Sequence, residues 1–452
     1  MQLDSQTLPL LREALEKLEE AFRGLPTVTH PDESSRLRAV LTTVAERLQD
    51  NYPYFHPLYA GQMLKPPHAI ARLAYMLSLW INPNNHALDG GRASSAMEKE
   101  AVAEIAAMFG WSTHLGHLTG GGTMANLEGL WAAGRLTAGA MVVASDQAHY
   151  THQRVSAVLQ LPFIEVQSDE KARMDVQDLN RILERGNVGT VVVTLGTTGT
   201  GSVDPLPEIL ELQKRFGFRI HADAAYGGYF ALADNLQAHT SRSFEALSRV
   251  DSIAIDPHKH GLQPYGCGCI LFRDPAVGAL YSHDSPYTYF TSAELHLGEI
   301  SLECSRAGAS AVALWATQKL LPLKRAGEFA RGLERSREAA LELHGRIARD
   351  ARFMVLPEPE LDIVVWAPAA DGLKRVSERS RALFAEAAKR NLHLAMSRIP
   401  ARRLGTLWPG VERDQESVVC LRSVLMKSEH RDWVDAIWKI LSDSVDTILR
   451  TV

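Results

Sequence analysis

Ser-Ile-Ala-Ile-Asp-Pro-His-Lys, at residues 252–259, is a short apolar run that leads directly into a polar cluster. The same pattern occurs upstream, where Phe-Arg-Ile-His-Ala at 218–222 leads into Asp223. Short β-branched runs of this kind alternate with helical stretches from about residue 110 to residue 275. Buried strands separated by helices are typical of an α/β domain, so we expect a largely parallel sheet there. The predicted strands are 140–144, 190–195, 218–222, 252–255 and 267–272.

The segments on either side of this region have a different pattern. Apolar residues at helical spacing predict a helix over 7–23, and Ser95 to Glu98 has the form of a capping box that opens a helix to about Phe109. Beyond Arg325, a smaller α+β lobe is predicted from a charged helical stretch to about residue 350, a strand at 361–366 and helices at 376–390 and 429–450. We therefore expect an N-terminal helical segment, a large domain and a small C-terminal domain, at 1–90, 91–323 and 324–452.

The composition is that of a soluble globular protein. Of the 452 residues, 46% are apolar and 22% are charged, which excludes a disordered or fibrous chain. The net charge is −5, and no block of like charges indicates a nucleic-acid or membrane surface. Four cysteines cannot form a disulfide scaffold, and no Cys/His spacing indicates a zinc site. Without a secretory signal or an apolar run of ~20 residues, we expect a cytoplasmic protein with no nucleic-acid, membrane or metal partner.

Polar clusters follow most of the predicted strands. His149 follows the first strand, Gly196-Thr197-Thr198 follows the second, Asp223 the third and Asp256-Pro-His-Lys259 the fourth. Ligands of parallel α/β sheets bind at the carboxyl ends of the strands, so these side chains are expected to form one site. Each residue alone also has a simpler interpretation: a hydrogen-bonded core histidine, a structural carboxylate or a solvated lysine.

A Gly-rich segment, Thr119-Gly-Gly-Gly-Thr123, comes directly before a helix-forming run. Free N–H groups at such a helix start attract phosphate, although a simple Gly-rich turn is the alternative. Pyridoxal phosphate (PLP) needs a lysine for its aldehyde, an anion site for its phosphate, a carboxylate for its ring nitrogen and flat groups on its two faces. The residue types and their order in the chain fit these needs.

The same motifs resemble those of the PLP-dependent group II amino-acid decarboxylases, which include the aromatic amino-acid, histidine, glutamate and tyrosine decarboxylases. The resemblance covers about residues 50–320, and its strongest motif is Asp256-Pro-His-Lys259 followed by Pro264-Tyr-Gly-Cys-Gly-Cys. The other matching pieces are Gly-Gly-Gly-Thr-Met-Ala-Asn (120–126), Gly196-Thr-Thr198 with Asp204-Pro205, His221-Ala-Asp-Ala-Ala225, His56-Pro57, Asn82-Pro83 with Glu98, and Ser301-Leu-Glu-Cys-Ser-Arg306 with Trp315.

The resemblance implies the fold type I architecture of aspartate aminotransferase, with a large, mostly parallel-sheet domain that binds PLP and a small C-terminal domain. It further implies a homodimer in which the N-terminal segment takes part in dimerisation and the active sites lie at the interface. Lys259 would form a Schiff base with the cofactor, Asp223 would pair with the ring nitrogen, and His149 would stack on the ring opposite Ala225. The other implied cofactor-binding residues are Gly121, Gly122, Thr123, Thr197, Asp256 and His258.

The resemblance leaves the general acid and the substrate open. Tyr287 and Tyr289 compete for the role of the family's loop tyrosine, which would protonate the decarboxylated carbon. Tyr59 and Gln62 are candidate substrate contacts, and no cluster of spare Arg or Lys accompanies Gln62, so an aromatic or apolar amino acid is favoured. His260 departs from the family pattern, because a bulky apolar residue often follows the lysine there.

The predicted function is therefore PLP-dependent decarboxylation of an L-amino acid to an amine and CO₂. The alternatives are a decarboxylation-coupled aldehyde synthase, a PLP-dependent carbon–carbon lyase of the sphingosine-phosphate lyase type, and a non-catalytic protein that binds PLP. A transaminase is a further possibility with the same cofactor.

Overall fold

The computed structural model describes residues 7–28, 31–281 and 300–451. No helix within these ranges is both long enough and apolar enough to cross a membrane. The α-helices are α1 (Thr7–Glu19), α2 (Ser34–Leu48), α3 (Ala69–Ser78), α4 (Leu88–Met108), α5 (Gly122–Leu136), α6 (Thr151–Val158), α7 (Val176–Glu184), α8 (Leu206–Phe216), α9 (Ala238–Glu245), α10 (Gly308–Leu320), α11 (Glu328–Ala348), α12 (Leu373–Lys389) and α13 (His430–Thr451).

A seven-stranded sheet forms the centre of the large domain, with the strand order β1-β7-β6-β5-β4-β2-β3. Strands β3, β2, β4, β5 and β6 are parallel, whereas β7 runs antiparallel to both of its neighbours, β1 and β6. The largely parallel sheet predicted from the sequence is thus confirmed. Its strands are β1 (Leu115–Thr119), β2 (Met141–Ser145), β3 (Phe163–Val166), β4 (Val188–Thr194), β5 (Arg219–Asp223), β6 (Ser252–Ile255) and β7 (Gly268–Phe272).

A second, antiparallel sheet lies toward the C-terminus, with the order β10-β11-β9-β8. Trp366 on β9 is fully buried in an apolar core that also includes residues of α11, α12 and α13, so these helices cover the sheet. The expected α+β lobe is present, although its domain boundaries stay a prediction. The strands are β8 (Phe353–Val355), β9 (Ile363–Pro368), β10 (Ala395–Pro400) and β11 (Ser417–Val424).

The expected helix start at Ser95 is wrong. Helix α4 begins at Leu88, changes direction at Gly91 (φ −163°, ψ 58°), and continues through a buried Ser95. Glu98 does not cap a helix but forms tertiary hydrogen bonds. Its Oε1 accepts from the Leu118 N–H (2.9 Å) and from Arg306 Nη1 (2.7 Å). Glu98 therefore ties α4 to β1 and to the segment that precedes α10.

The pairing of β1 with β7 leaves no room for a side chain at Gly268, which lies opposite Thr119. A Cβ atom at Gly268 would lie 2.5 Å from the Gly121 carbonyl carbon and 2.6 Å from Thr119 Oγ1. Because backbone cannot move aside as easily as a side chain, Gly268 fixes the position of the Gly-rich segment that follows β1.

We predict that Gly268→Ala lowers the free energy of unfolding by about 1–3 kcal/mol through this overpacking. Gly345→Ala is the matched control, because a Cβ there meets only the Arg349 guanidinium at 3.8 Å and lies inside α11. Denaturant unfolding of the three proteins checks the prediction, and equal destabilisation by both substitutions would contradict it.

Candidate active site

A cavity of about 510 Å³ lies at the carboxyl ends of the parallel strands. Loops that follow β1, β4, β5 and β6 all contribute to its wall, which is why residues distant in sequence meet there. The cavity brings together most of the site residues expected from the sequence: Gly121, Gly122, Thr123, His149, Asp223, Ala225, Asp256, His258 and Lys259.

The Gly-rich segment turns from β1 into the start of α5. Gly121 has φ 149°, a conformation that side chains disfavour, and a Cβ at Gly122 would lie 2.6 Å from Asp256 Oδ2. The backbone can therefore approach a ligand closely at the N-terminus of α5, where unpaired N–H groups favour an anion. Thr123 adds a hydroxyl, which accepts a hydrogen bond from Thr151 Oγ1 at 3.4 Å.

Asp223, the last residue of β5, is 5% exposed and is held by its neighbours. His152 Nε2 donates to its Oδ2 at 2.8 Å, and the Ala225 N–H donates to its Oδ1 at 3.1 Å. Burial alone would raise the pKa of Asp223, but the hydrogen bond and charge of His152, with the charge of Lys259, hold that pKa well below its usual range. Asp223 is thus an ionised carboxylate in the cavity wall.

Lys259 lies in the turn that follows β6 and is half-buried. Its Nζ is 3.0 Å from Asp256 Oδ2, which also lies 3.6 Å from His258 Nε2. The other ring nitrogen of His258, Nδ1, donates to the Cys267 carbonyl at 2.9 Å, which fixes the ring. The amine of Lys259 thus lies in the wall of a cavity that the carboxylates of Asp256, Asp223 and Glu303 also line.

His149 and Ala225 line the same cavity. Burial lowers the pKa of the His149 imidazole, which favours the neutral ring that stacking requires. The Thr151 N–H donates to His149 Nδ1 at 3.3 Å, and the Tyr150 ring packs 4.2 Å from the His149 ring. These contacts orient the imidazole at the edge of the cavity.

Thr197 is not among the residues that line the cavity. Its side chain is fully buried, and its Oγ1 bonds to Thr200 Oγ1 (2.8 Å) and accepts from the Ser202 N–H (3.1 Å). Thr194 and Thr198 line the cavity instead. Tyr287 and Tyr289, the candidate general acids, lie outside the described residues.

Tyr59 and Gln62 lie beside the cavity rather than in its wall. Gln62 Oε1 accepts a hydrogen bond from Arg422 Nη2 at 2.6 Å, and Arg422 Nη1 donates to the carbonyl of Thr198, a cavity residue, at 2.7 Å. Tyr59 supports this arrangement, because its hydroxyl accepts from the Gln62 N–H at 3.2 Å. One arginine, Arg422, therefore accompanies Gln62, where the sequence predicted no cluster of spare Arg or Lys.

Sequence reasoning missed three residues of the site. Arg422 is 360 residues from Gln62 in the chain, so no local pattern links the two. Glu303 lines the cavity and accepts a hydrogen bond from the Gly120 N–H at 3.0 Å. It lies within the motif Ser301–Arg306, from which the sequence predicted no role for Glu303. His152 could have been found from its position, one helical turn after His149 at the start of α6.

The donor set fits PLP. One cavity is lined by the amine of Lys259, the carboxylate of Asp223, the imidazole of His149 and the Gly-rich N-terminus of α5. Each of these groups matches a different part of the cofactor. The expected arrangement of Lys259 and Asp223 around a shared space is present.

Comparisons with known proteins agree with this chemistry. The family model described as the pyridoxal-dependent decarboxylase conserved domain matches residues 25–367. A probable L-tyrosine/L-aspartate decarboxylase of Methanothermobacter thermautotrophicus is 31% identical over 71% of this chain and 85% of that protein. An L-tyrosine decarboxylase of Enterococcus faecium is 27% identical over 72% of this chain and 71% of its own length. The L-aspartate decarboxylase of Thermococcus kodakarensis is 27% identical, with coverages of 82% and 93%.

Solved structures share the fold. Oryza sativa TDC, crystallised with PLP and tryptamine, superposes with a TM-score of 0.79 at 17% identity and covers 99% of both chains. Mouse CSAD in the apo form gives a TM-score of 0.77 at 20% identity over 94% of this chain and 91% of its own. The fold type I prediction is confirmed. The chain therefore belongs to the pyridoxal-dependent decarboxylase family and is a PLP-dependent amino-acid decarboxylase.

Proposed function

We propose that Lys259, Asp223 and the N-terminus of α5 form the catalytic centre in which this chain decarboxylates an L-amino acid. The observation that carries the proposal is that one cavity is lined by this amine, this carboxylate and this Gly-rich helix start. Lys259 would hold the aldehyde carbon of PLP, Asp223 the ring nitrogen, and Gly121, Gly122 and Thr123 the phosphate.

The chain's own residues set the protonation and the orientation of the site. When bound, PLP accepts the electron pair that is released as the bond between Cα and the substrate carboxylate breaks. Asp223 would keep a proton at the ring nitrogen, because His152 and Lys259 hold the pKa of its carboxyl well below the usual range. His149 and Ala225 would bracket the ring. Tyr287 and Tyr289 remain the candidates for returning a proton to the substrate carbon.

Arg422 is the proposed anchor for the carboxylate of the substrate. Arg422 is 6% exposed, and the hydrogen-bond partners of its guanidinium among the described residues are the neutral oxygens of Gln62 and Thr198. Its Nε is buried without a partner within the described part of the chain. A buried cation with only neutral acceptors is stabilised by an anion, and a guanidinium fork matches a carboxylate.

The favoured substrate is an aromatic or apolar L-amino acid. Support comes from the relatives named as tyrosine decarboxylases and from the aromatic cluster beside Gln62, in which the rings of Tyr54 and Tyr59 are 4.9 Å apart. L-Aspartate is the second candidate. Arg422 favours it, because the same guanidinium would also suit a side-chain carboxylate, and two of the relatives compared are named as aspartate decarboxylases in full or in part.

Lys259→Ala is predicted to keep the fold and abolish turnover. The holoenzyme and the variant would be incubated with each common L-amino acid, with amine, aldehyde and CO₂ measured in parallel, which also separates a decarboxylase from an aldehyde synthase. Borohydride reduction followed by peptide mass spectrometry should place the cofactor on residue 259 of the unaltered chain only. Substantial CO₂ release by the variant would contradict the assignment of Lys259.

Arg422→Met is predicted to raise KM or lower kcat/KM by about 10-fold or more, the usual value of a lost charge-assisted hydrogen bond. Arg398→Met is the matched control, since Arg398 is an exposed arginine on the neighbouring strand β10. Steady-state kinetics with the best substrate from the screen provide the measurement. If both variants retained the original kcat/KM, Arg422 would not be the anchor.

A cytoplasmic homodimer is the proposed state of the protein. Helix α2 buries none of its side chains, although Leu37, Leu41, Val44 and Leu48 recur at helical spacing along one face. A second copy of the chain would cover this face, as the family's dimer implies. A reducing compartment agrees with the free cysteines of the described residues, namely Cys267, Cys269, Cys304 and Cys420.

Light scattering is predicted to give twice the chain mass of 49.8 kDa. The double substitution Leu41→Glu with Val44→Glu should shift the protein to the monomer mass, because two carboxylates would be buried at the interface. Ala39→Glu, on the opposite side of α2, is the control and should remain dimeric. A monomeric unaltered chain, or a dimeric double variant, would rule out this surface.

A further inference from the structure

A second cavity, of about 620 Å³, lies between the segment that precedes α3, the start of α11 and the loop before α13. None of its lining residues belongs to the wall of the active-site cavity. Four cationic side chains and two carboxylates line it: Lys65, Arg331, Arg335 and Lys427 against Glu328 and Glu429. The catalytic proposal assigns no role to any of these residues.

The ammonium groups of Lys65 and Lys427 each donate one hydrogen bond within the described residues. Lys427 is 4% exposed and its Nζ donates to the Tyr59 carbonyl at 2.7 Å, while Lys65 Nζ donates to the Met426 carbonyl at 3.2 Å. Among the described residues, neither ammonium forms a salt bridge with a carboxylate. An ammonium group has three donors, so each lysine keeps hydrogen-bonding capacity for a ligand.

His260 adds a buried polar atom at the same cavity. This residue, which replaces the apolar side chain that often follows the lysine in the family, is 1% exposed and lines the cavity. Its Nε2 lies 3.2 Å from Asp362 Oδ2, but neither ring nitrogen has a hydrogen-bond partner within the described part of the chain. A buried nitrogen without a partner is costly, and a bound ligand could satisfy it.

The two cavities share one buried carboxylate. Asp362 is fully buried, and its Oδ1 accepts a hydrogen bond at 2.6 Å from the hydroxyl of Tyr226, which lines the active-site cavity. His260 Nε2 lies 3.2 Å from the other oxygen of Asp362, and the His260 ring packs 4.8 Å from the Tyr226 ring. The two cavities therefore have separate walls, but His260 of one wall contacts Tyr226 of the other.

We propose that this second cavity binds a small anion, of the carboxylate or phosphate class, between Lys65 and Lys427. The bound anion would accept hydrogen bonds from the free donors of both ammonium groups, whereas Arg335 already pairs with Asp432 at 2.6 Å. The second cavity shares no lining residue with the active-site cavity, so anion binding can be measured without following the catalytic reaction.

Protonation of the lysines gives the site a characteristic pH dependence. Burial lowers the pKa of Lys65 to about 8, and burial together with the charge of Lys65 lowers that of Lys427 to about 7. Both lysines lose their charge in the folded protein as pH rises through these values, so the affinity for an anion falls between pH 6 and pH 9. The other titratable groups that face the two ammonium groups are His56, Tyr59, His68, His260, Glu328, Arg331, Arg335, Asp362, Glu429 and His430.

Sulfate and acetate are the probes, because the charge of each is constant over this pH range. Isothermal titration of the full-length holoenzyme, in which the cofactor fills its own phosphate site, should detect one saturable site per chain for at least one of the two anions. Lys65→Met is expected to weaken that binding about 10-fold or more, and Lys65→Arg to retain it. Lys389→Met is the control, since Lys389 is an exposed lysine on α12 that does not line the cavity.

Arg422→Met separates this site from the proposed substrate anchor, and the anion should bind to that variant with unchanged affinity. Lys65→Met should not lower the unfolding temperature, because replacing a desolvated ammonium by an apolar side chain of similar length is neutral or stabilising. Preference for sulfate or for acetate identifies the ligand class. The proposal fails if the holoenzyme binds neither anion saturably, if Lys65→Met binds as tightly as the unaltered chain, or if affinity does not fall from pH 6 to pH 9.

Discussion

The carboxylate of Asp223 imposes the constraint on which the site depends. Removing an ion of this size from water costs several kcal/mol, and the loss is offset only by partners held at short distance. His152 on α6 and the Ala225 N–H supply those partners, and the amine of Lys259 adds a favourable charge. The end of β5, the start of α6 and the turn after β6 must therefore stay together for the carboxylate to remain charged.

The central sheet could be predicted because its strands carry a strong local signal. The five predicted strands lie within two residues of β2, β4, β5, β6 and β7, all of which are rich in buried apolar or β-branched residues. Strands β1 and β3 were missed for a physical reason. Gly116 and His117 interrupt the pattern of β1, and β3 is an edge strand with an exposed Glu165, so neither resembles a buried strand in sequence.

The site was predictable to the extent that it follows the strands. Residues at strand ends, such as Asp223 and Lys259, meet because parallel strands finish at the same edge of a sheet. Arg422 lies on a strand of the other sheet, and it meets Gln62 because Ala60 pairs through its backbone with His393 and Val424 beside that sheet. Thr197 lies in the expected loop after β4, but the direction of its side chain could not be predicted. Its hydroxyl bonds to Thr200 within the same loop instead of lining the cavity. Backbone direction within a loop is not encoded in residue type alone.

The seven strands of the large sheet form one uninterrupted stretch of chain, from Leu115 to Phe272, whereas Arg422 belongs to β11, which follows much later. Domains fold in order as they leave the ribosome. The groups assigned to the coenzyme can consequently be assembled on a nascent chain before the small domain has been synthesised. The proposed cofactor contacts and the proposed substrate anchor are therefore encoded by successive, separate parts of the chain.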